Sequence, residues 1–591
     1  MSRPVHRRWL LGGCLILSCA VCGPQPAPPA GTSPNSGGAD GGPAIGPADE
    51  TRSIPGLDGI VSRFRARIPE MMESSHLQAL SLALVGREGP LWVEGFGFLD
   101  ESHQVPVDAE TIFSLQSTSK TFTATALLAA VRDGLVDLDV PITRYVPEFT
   151  VHSRFEEHPE RRMTLRHLLA HRAGFTHEAP VGNNYEPGYP SFEAHIESIQ
   201  QTWLRYPVGL HQAYANLGVD LAGYILGKVS GKGYPGYMKE TVLDPLGMTH
   251  SSFDWNVIRS QTNRAVGHWK LVERMPLEFA LIPSGGLYSC AKDMGAFLTF
   301  QLNNGRIDGE VILERALLAQ MRTPSFAVEG QDLGYGLGLR RYERFGRPYY
   351  EHAGGGFGFK SHMSWYPDLG VGSAVLGNSM DQNIVHSVAR DIIDAIAEAS
   401  DLEPVKSRPY AGLQALPAAP PGAGNLLGVY LGRGSRRIGV IRDEGAFAVE
   451  FEGETLPLRF ASAREAFVEW KGGKRELFRF ALDADGRPLY LVRVRYGWHY
   501  DFDHGPAGPP PGPDRRSWEA FLGNYEIRLA GMRLEVVPLR RESGYLFFDD
   551  DRLVDEFEPG LFFSVKGEAL DLRGPIPTWR NIPLHKMPSE K

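Results

Sequence analysis

The chain has 591 residues, several times the length of a typical domain, so we expect more than one compact unit. Its 61 Lys and Arg residues and 70 Asp and Glu residues give a net charge of −9, which excludes an overall basic field for binding nucleic acid. Hydrophobic residues make up 42% of the chain, a value typical of globular proteins, whereas 67 Gly and 44 Pro indicate linkers.

The first 22 residues have the pattern of a secretory signal, in which basic residues precede an apolar stretch from Trp9 to Val21. This stretch is too short to span a bilayer comfortably. The run Ile16-Leu17-Ser18-Cys19 is close to the pattern that precedes a lipidated cysteine in bacterial lipoprotein signals. We therefore expect an exported protein of the periplasm or cell envelope, anchored by lipid at Cys19 or Cys22; an ordinary cleaved signal is the alternative.

Residues 23–54 consist of Pro, Gly, Ala, Ser and Asp with almost no large apolar side chain, which predicts a flexible tether. Cys290 is the one cysteine outside the predicted signal, so we expect neither an intrachain disulfide nor a cysteine zinc cluster in the mature chain.

Helical and strand patterns alternate over residues 55–402, which predicts an α+β domain. A strand hairpin is predicted at Leu77–Val85 and Leu91–Phe98. The other predicted elements are helices at 119–133, 217–230 and 290–303 and strands at 347–353, 360–366 and 371–378.

An all-β region is predicted after this domain. Alternating apolar side chains from Tyr490 to Phe502 predict one long strand with a buried face. Leu427-Gly428-Val429-Tyr430 is echoed by Leu522-Gly523-Asn524-Tyr525, which indicates two related units. The predicted segments are a linker at 403–424, β unit 1 at 425–504, a Pro-rich linker at 505–516 and β unit 2 at 517–591.

Ser117 and Lys120 stand three residues apart before a helix rich in Ala and Leu, so both side chains share one face of the first turn. A serine hydroxyl needs a neighbouring base to become a nucleophile, and a desolvated lysine can serve as that base. The helix N-terminus also directs backbone N–H groups at developing negative charge. The alternative is that Ser117 caps the helix and Lys120 is solvated.

The same Ser-x-x-Lys spacing recurs at Ser289-Cys290-Ala291-Lys292, so spacing alone does not identify a site. This second match is interpreted as an ordinary helix start at which Ser289 is the N-cap.

Tyr214-Ala215-Asn216 precedes an amphipathic helix. A tyrosine beside a lysine ammonium can relay a proton to a leaving group, and an asparagine amide can hold both a substrate carbonyl and the lysine. The alternative is that Asn216 is an N-cap and Tyr214 a core aromatic residue.

His352-Ala353-Gly354-Gly355-Gly356 is expected to end one strand and open the next. Glycines at this point allow a substrate backbone to approach the strand edge. A histidine beside them is expected to bind a carboxylate or to transfer a proton near neutral pH.

These three motifs, in this order, resemble the serine β-lactamase and penicillin-binding protein superfamily, in particular its class C β-lactamases, D-alanyl-D-alanine carboxypeptidases, D-aminopeptidases and related esterases. The resemblance extends over about residues 58–395. Other segments similar to the family are Leu165–Phe175, Gly134–Asp139, Asp244–Met248 and Gly285–Ser289.

The resemblance implies a β-lactamase/transpeptidase-like fold, in which an antiparallel sheet is flanked by helices and accompanied by a helical subdomain. It implies that Ser117 is acylated, that Lys120 is its base and that Tyr214 shares the proton transfers. Substrate is expected to contact Asn216, His352 and Gly354, and the oxyanion hole is expected to be the backbone N–H groups of Ser117 and Gly355. The family implies no cofactor and no metal.

One departure from the family pattern concerns the third motif, where many of its β-lactamases carry a lysine in place of His352. The histidine is associated with peptidase and esterase relatives, and it removes a permanent positive charge for a β-lactam carboxylate. The resemblance therefore implies a hydrolase of an ester, an amide or a D-amino acid peptide, with a peptidoglycan-derived substrate as one option. The alternatives are a non-catalytic envelope protein that binds peptidoglycan or a protein partner, and a β-lactamase.

Two further sequence features bear on the site. His167 and His171 have a spacing that suits zinc on a helix, but the resemblance places them in the structural framework, so they are interpreted as packing residues. The C-terminal β region loosely resembles the lipocalin-like additions of some β-lactamase-related hydrolases, and we expect it to shape the mouth of the active site.

Overall fold

The computed structural model describes residues 54–588, and the residues within that span that it does not describe are 186–189, 211, 270–273, 275–276, 326–333, 346, 381–382, 401–411, 432–436, 483–485, 495–501, 507–517, 530–531, 543–544, 550 and 565. The predicted signal, the two candidate lipid cysteines and nearly all of the predicted tether lie outside the described residues. No helix within the described ranges has both the length and the apolar composition needed to span a lipid bilayer.

The helices predicted from the hydrophobic pattern are confirmed at α2, α5 and α9, with bounds that differ by one residue at most. The helices of the described chain are α1 (Leu57–Ser74), α2 (Ser119–Arg132), α3 (Leu165–Leu169), α4 (Phe192–Ile199), α5 (Asn216–Ser230), α6 (Tyr234–Met238), α7 (Trp255–Arg259), α8 (Ile282–Gly285), α9 (Ala291–Leu302), α10 (Arg315–Arg322) and α11 (Ile384–Ala399).

Seven strands of the α+β domain form one sheet in the order β2-β1-β11-β10-β9-β8-β7, with every neighbouring pair antiparallel. The predicted hairpin is its β1–β2 pair. The strands of this domain are β1 (Ala79–Gly86), β2 (Gly89–Gly97), β3 (Phe113–Ser114), β4 (Tyr288–Ser289), β5 (Arg306–Ile307), β6 (Glu310–Val311), β7 (Gly334–Tyr335), β8 (Arg340–Arg344), β9 (Arg347–Gly356), β10 (Phe359–Tyr366) and β11 (Val371–Gly377).

Helices cover both faces of this sheet, so its central strands are buried on both sides. Leu80, Leu82 and Leu84 of β1 belong to the core shared with α1 and α11. Ala83 and Val85 belong to the second core, which α2, α5 and α9 also line. Alternation along β1 thus divides one strand between two cores, and the second core holds the helices that carry the Ser117 and Tyr214 motifs.

β unit 1 forms a nine-stranded antiparallel sheet in the order β15-β14-β13-β12-β20-β19-β18-β17-β16 around its own apolar core. Its strands are β12 (Gly428–Leu431), β13 (Arg437–Asp443), β14 (Ala446–Phe451), β15 (Glu454–Pro457), β16 (Arg459–Phe460), β17 (Glu465–Glu469), β18 (Arg475–Leu482), β19 (Pro488–Val494) and β20 (Phe502–Pro506).

The prediction of a single strand from Tyr490 to Phe502 is wrong. The chain reverses, and β19 pairs antiparallel with β20, so that Arg493 lies opposite Phe502. Period-2 alternation continues in both arms of such a hairpin and does not reveal the reversal between them. The reversal lets β20 pair with β12, which brings the last strand of the unit beside the first.

β unit 2 forms a second nine-stranded sheet in the order β28-β27-β26-β25-β24-β23-β22-β21-β29, again with its first and last strands paired. Tyr430 and Tyr525, the aromatic residues of the echoed motif, are both buried, and each hydroxyl donates to the carbonyl four residues earlier. The strands are β21 (Gly523–Leu529), β22 (Met532–Glu542), β23 (Tyr545–Phe548), β24 (Asp551–Glu558), β25 (Leu561–Ser564), β26 (Ala569–Asp571), β27 (Thr578–Trp579), β28 (Ile582–Pro583) and β29 (His585–Lys586).

The described part of the first predicted linker lies against β unit 1. Leu413 is buried with Phe467 and Leu477, and its carbonyl accepts a hydrogen bond from Arg475 at 2.8 Å. The backbone N–H of Leu416 donates to the Phe460 carbonyl at 2.7 Å. This half of the linker is therefore packed on the sheet. Most of the second predicted linker lies outside the described residues.

Candidate active site

Ser117 lies in a short 3-10 turn, Gln116–Thr118, that leads directly into α2. Its side chain is half-buried, whereas Lys120, in the first turn of α2, is fully buried. Lys120 Nζ lies 3.1 Å from Ser117 Oγ. The spacing of three residues thus places the amine on the hydroxyl, as the helical period predicts.

Two oxygen atoms hold the Lys120 amine against Ser117. Nζ donates to Asn216 Oδ1 at 2.8 Å and to the backbone carbonyl of Ser284 at 2.8 Å. Asn216 is the first residue of α5, whose N-terminus has no side-chain cap, so its amide serves the lysine and not the helix end. Desolvation of a buried lysine disfavours its ammonium form, which favours its use as a base.

Tyr214 lies over the same amine, with its ring centroid 4.9 Å from Lys120 Nζ. The ring is buried between His171, at 4.3 Å between centroids, and His177, at 5.8 Å. The structure therefore brings together Ser117, Lys120, Tyr214 and Asn216.

His352 lies near Tyr214, with 6.4 Å between the ring centroids, and its contact with substrate stays a prediction. The ring is buried, Nε2 accepts from the Tyr335 hydroxyl at 2.8 Å, and Nδ1 donates to the Ala353 carbonyl at 2.9 Å. Burial, with Arg340 and Lys120 nearby, holds the pKa of His352 well below its ordinary value. A neutral imidazole with both nitrogens bonded does not act as a cation for a carboxylate.

Gly354 packs closely against the turn that carries Ser117, and its contact with substrate stays a prediction. A Cβ atom on Gly354 would lie 2.0 Å from the Leu115 carbonyl oxygen and 2.5 Å from Ser361 Oγ. Ser361 Oγ in turn donates to the Leu115 carbonyl at 2.6 Å. Strands β9 and β10 therefore pack against the turn that carries Ser117 and hold it in place.

Gly355 occupies the exposed side of the same strand end. It is half-buried between two buried glycines. Strand β8 pairs with β9 only from Arg347 to Glu351, so within the described residues the edge of β9 beyond Glu351 has no β8 partner. The Gly355 N–H predicted for the oxyanion hole lies in this part of β9.

Gln116 has a left-handed backbone with φ of 51°, directly before Ser117. Its buried side chain donates to Ser114 Oγ at 2.7 Å. A non-glycine residue in this region is costly and persists where the surroundings fix it, which occurs often at active sites. The sequence contains no signal for this strain.

His171, Tyr335 and Ser284 are residues of the site that the sequence analysis missed. His171 Nδ1 accepts the backbone N–H of Ala215 at 3.3 Å, and its ring lies 4.8 Å from that of Tyr335. Burial and the Lys120 charge hold the pKa of His171 well below its ordinary value. A signal for His171 existed in the Leu165–Phe175 segment, which resembles the family, but the resemblance led us to interpret His171 as a packing residue of the framework.

The second Ser-x-x-Lys match has no such geometry, as the sequence analysis predicts. Lys292 is on the surface and bonds Glu110 Oε1 at 2.7 Å. The predicted cap is wrong, however: Cys290 is the N-cap of α9, and its Sγ accepts the Asp293 N–H at 3.5 Å.

In the part of the chain that the structure describes, one group of potential metal ligands lies together, namely His250, Cys290 and Asp293 within 4.8 Å. Burial and the Asp293 charge raise the pKa of the Cys290 thiol, which keeps the sulfur protonated. Asp293 already accepts hydrogen bonds from the backbone N–H of His250 and from Ser251 Oγ. The group therefore fits a metal ion poorly.

β unit 2 reaches the loop that lies beside Tyr214. Asn581 Nδ2 donates to the Glu178 carbonyl at 2.7 Å. The Glu178 carboxylate hydrogen-bonds His177 Nδ1 at 2.7 Å, and the His177 ring stacks near Tyr214. Tyr185, from the same loop, packs on the core of β unit 2.

A sequence profile described as beta-lactamase matches residues 64–398, more than half of the chain. "Beta-lactamase-like protein 2" of Dictyostelium discoideum is 26% identical over 281 residues, or 46% of this chain and 50% of that protein. "Protein flp" of Staphylococcus aureus is 25% identical over 238 residues, or 39% of this chain and 47% of that protein. The chain thus spans about half the length of these curated relatives.

Two solved structures are similar to most of the chain. The penicillin-binding protein homologue from Pyrococcus abyssi, described as octameric, has a TM-score of 0.51 at 23% identity and covers 75% of this chain and 99% of its own. SurE has a TM-score of 0.50 at 21% identity, covering 76% and 98%. At these identities the likeness concerns the fold, and it confirms the predicted α+β architecture with its all-β C-terminal region.

Proposed function

Because the chain belongs to the beta-lactamase family, whose profile matches residues 64–398, we propose that it is a serine hydrolase that works through an acyl-enzyme on Ser117. The observation that carries the proposal is the buried Lys120 amine at 3.1 Å from Ser117 Oγ, with Tyr214 over it. The proposed substrates are an ester, an amide or a D-amino acid peptide.

In the acylation step, Ser117 Oγ attacks the substrate carbonyl carbon while its proton moves to the Lys120 amine. The carbonyl oxygen becomes negative in the tetrahedral intermediate. Backbone N–H groups of Ser117 and Gly355 are proposed to donate to that oxygen, and donors of this kind contribute about 3 kcal/mol each to stabilising the transition state.

Collapse of the intermediate breaks the bond to the leaving group, which takes up the proton. The Tyr214 ring lies 4.9 Å from Lys120 Nζ, and we assign its hydroxyl the transfer of that proton from Nζ to the leaving atom, as the resemblance to the family implies. Water then attacks the acyl-enzyme by the reverse sequence of proton transfers, releasing the acid and restoring the Ser117 hydroxyl.

The state of His352 bears on the choice of substrate. Its neutral ring, bonded to Tyr335 and to the Ala353 carbonyl, does not supply the cation that would hold a β-lactam carboxylate. This supports turnover of esters, amides or peptides over efficient β-lactam hydrolysis.

The test is a stopped-flow trace of p-nitrophenyl acetate cleavage by the protein and by Ser117→Ala. We expect a burst of about one equivalent of p-nitrophenol per molecule, followed by slower turnover, and no burst in the variant. The matched control is Ser289→Ala, in the second Ser-x-x-Lys match, which should retain the burst. A protein without a burst, and no faster than Ser117→Ala, would support the alternative of a binding protein.

A further inference from the structure

A buried carboxylate lies one helical turn beyond Asn216. Asp220 of α5 is fully buried, and its Oδ1 accepts the Ser284 backbone N–H at 2.8 Å. Its Oδ2 accepts the Ser284 hydroxyl at 2.9 Å and faces His195 Nε2 at 3.2 Å. Ser284 is therefore held by two hydrogen bonds to a single carboxylate.

The same residue, Ser284, contacts the Lys120 amine through its carbonyl oxygen, at 2.8 Å. Ser284 lies in α8, a single turn of four residues that cannot hold its own position by length. The position of the carbonyl is thus set by what the rest of Ser284 bonds, and Asp220 bonds both its N–H and its hydroxyl.

His195 completes the support on the far side of Asp220. Its Nδ1 donates to the Val181 carbonyl at 2.8 Å while its Nε2 faces the carboxylate. A ring that donates from both nitrogens is an imidazolium, which balances the buried carboxylate charge.

The direction of the Lys120 lone pair follows from these contacts. A neutral amine has two N–H bonds and one lone pair, and Nζ has acceptors at Asn216 Oδ1 and at the Ser284 carbonyl. When both N–H bonds point at those oxygens, the lone pair is left for the Ser117 hydroxyl, 3.1 Å away. If the Ser284 carbonyl moved, one of these two constraints would be lost.

We propose that Asp220 is a positioning residue for acylation: by holding Ser284 it aims the lone pair of Lys120 at Ser117. Asp220 touches neither substrate nor Ser117 in this role and acts through the Ser284 carbonyl. The inference rests on the proposed acyl-enzyme function, and it adds a buried support that the three motifs do not contain.

The test compares Asp220→Ala and Asp220→Asn by the pH profile of the burst rate constant with p-nitrophenyl acetate. Loss of the carboxylate frees the Ser284 carbonyl, so Asp220→Ala should lower the plateau by roughly tenfold or more. The ammonium form of Lys120 also loses a fixed acceptor, so the pKa of the amine should fall. The acid limb of the profile, in which protonation of Lys120 lowers the rate constant, should therefore move to lower pH. Asn still accepts the Ser284 N–H and should recover most of the rate.

The shift of the acid limb separates positioning from a loss of folded protein, which lowers the plateau without moving the limb. Around Lys120, the side chains of Tyr214, His171 and His352 are unchanged in these variants, whereas His195 loses its carboxylate partner in both of them. The matched control is Thr123→Val, because Thr123 Oγ1 donates at 2.7 Å to the carbonyl of Pro283 in the same turn.

The inference is overturned if Asp220→Ala keeps the wild-type limb, or if Thr123→Val shifts it equally, since the effect would then arise from packing of the turn. The two proposals fail separately. A wild-type protein without a Ser117-dependent burst refutes the acyl-enzyme itself. A normal burst that both Asp220 variants retain with unchanged rate and limb refutes only the role of Asp220.

Discussion

Two lysines of this chain share the same spacing from a serine, and their surroundings separate them. Lys120 is fully buried beside an amide oxygen and a backbone carbonyl, and desolvation of this kind disfavours the charged form of an amine. The hydrogen bond to Glu110 raises the pKa of Lys292 on the surface, so this side chain stays an ammonium ion. A base requires the first environment and not the second.

Replacing each lysine by methionine should therefore affect the acylation rate in one case and not in the other. Lys120→Met removes the base while keeping most of the side-chain volume, and the burst rate constant with p-nitrophenyl acetate should fall by roughly 10²- to 10⁴-fold. Lys292→Met should leave the rate unchanged. Circular dichroism checks the fold of both variants. Wild-type acylation in Lys120→Met would show that another group takes the Ser117 proton.

Residues that join the site through long-range contacts and belong to no recognisable motif were beyond reach of the sequence. Ser117 and Lys120 could be predicted from their spacing, whereas Tyr214 and Asn216, which contact Lys120 from a distant segment, were assigned through the resemblance of their motif to the family. Tyr335 reaches His352 only through the pairing of β7, β8 and β9, which is a property of the assembled sheet.

At the scale of elements, the site depends on how closely strand β9 approaches the turn before α2. Gly354 lies beneath Leu115, and Ser361 of β10 hydrogen-bonds both the Leu115 carbonyl and the Thr118 hydroxyl. These contacts with the sheet thus fix the position of the turn that carries Ser117. Packed elements of this kind shift as units and tolerate little added volume.

A single methyl group tests this packing. In Gly354→Ala the new Cβ would lie 2.0 Å from the Leu115 oxygen, so backbone must move and the burst rate should fall at least tenfold, with unfolding made easier by about 1–3 kcal/mol. Gly59→Ala, in helix α1 with nothing within 4 Å, is the matched control and should be neutral or slightly stabilising. Thermal unfolding and burst kinetics measure both effects. An active, stable Gly354→Ala protein would contradict the packing argument.

Helices and strands with a regular spacing of apolar residues could be predicted from the sequence. A reversal of the chain within one continuous apolar pattern could not. The helix at Ser119–Arg132 follows from its composition. The reversal between Arg493 and Phe502 does not, because the alternation of apolar residues runs on through it. What decides between one strand and two is the closure of β unit 1 by the pairing of β20 with β12, which involves distant parts of the chain.

At the scale of the whole molecule, β unit 2 is connected to the proposed catalytic residue Tyr214 through one loop. Asn581 holds the loop at Glu178, and His177 of that loop stacks near Tyr214. The sequence indicated two β units through the echoed Tyr430 and Tyr525 motifs. It did not indicate which unit meets the site, because docking depends on surfaces brought together from distant segments.

Glu568 of β unit 2 is a buried charge at this interface. Its carboxylate accepts the Thr176 hydroxyl at 2.6 Å and pairs with Arg205 at 3.3 Å and Arg580 at 3.2 Å. Burial alone would raise the pKa of Glu568, but the two arginines and the hydroxyl hold it below its ordinary value of 4.5. A lowered pKa stabilises the folded protein above pH 4.5, and that contribution is lost as pH falls through the folded pKa.

Glu568→Gln should therefore weaken docking of β unit 2 by roughly 3 kcal/mol near pH 7, because the buried carboxylate no longer offsets the charges of two partly buried guanidinium groups. The difference in unfolding midpoint between the variant and the wild type should be largest near neutral pH. It should disappear below pH 4.5, as the wild-type carboxyl takes up its proton.

Displacement of the loop beside Tyr214 by Glu568→Gln should also change the ratio of turnover between a small and a bulky p-nitrophenyl ester. Glu465→Gln breaks a buried pair with Arg479 inside β unit 1 and is the matched control, which should lower stability without changing that ratio. An unchanged ratio in Glu568→Gln would mean that β unit 2 is docked on the domain without shaping its substrate choice.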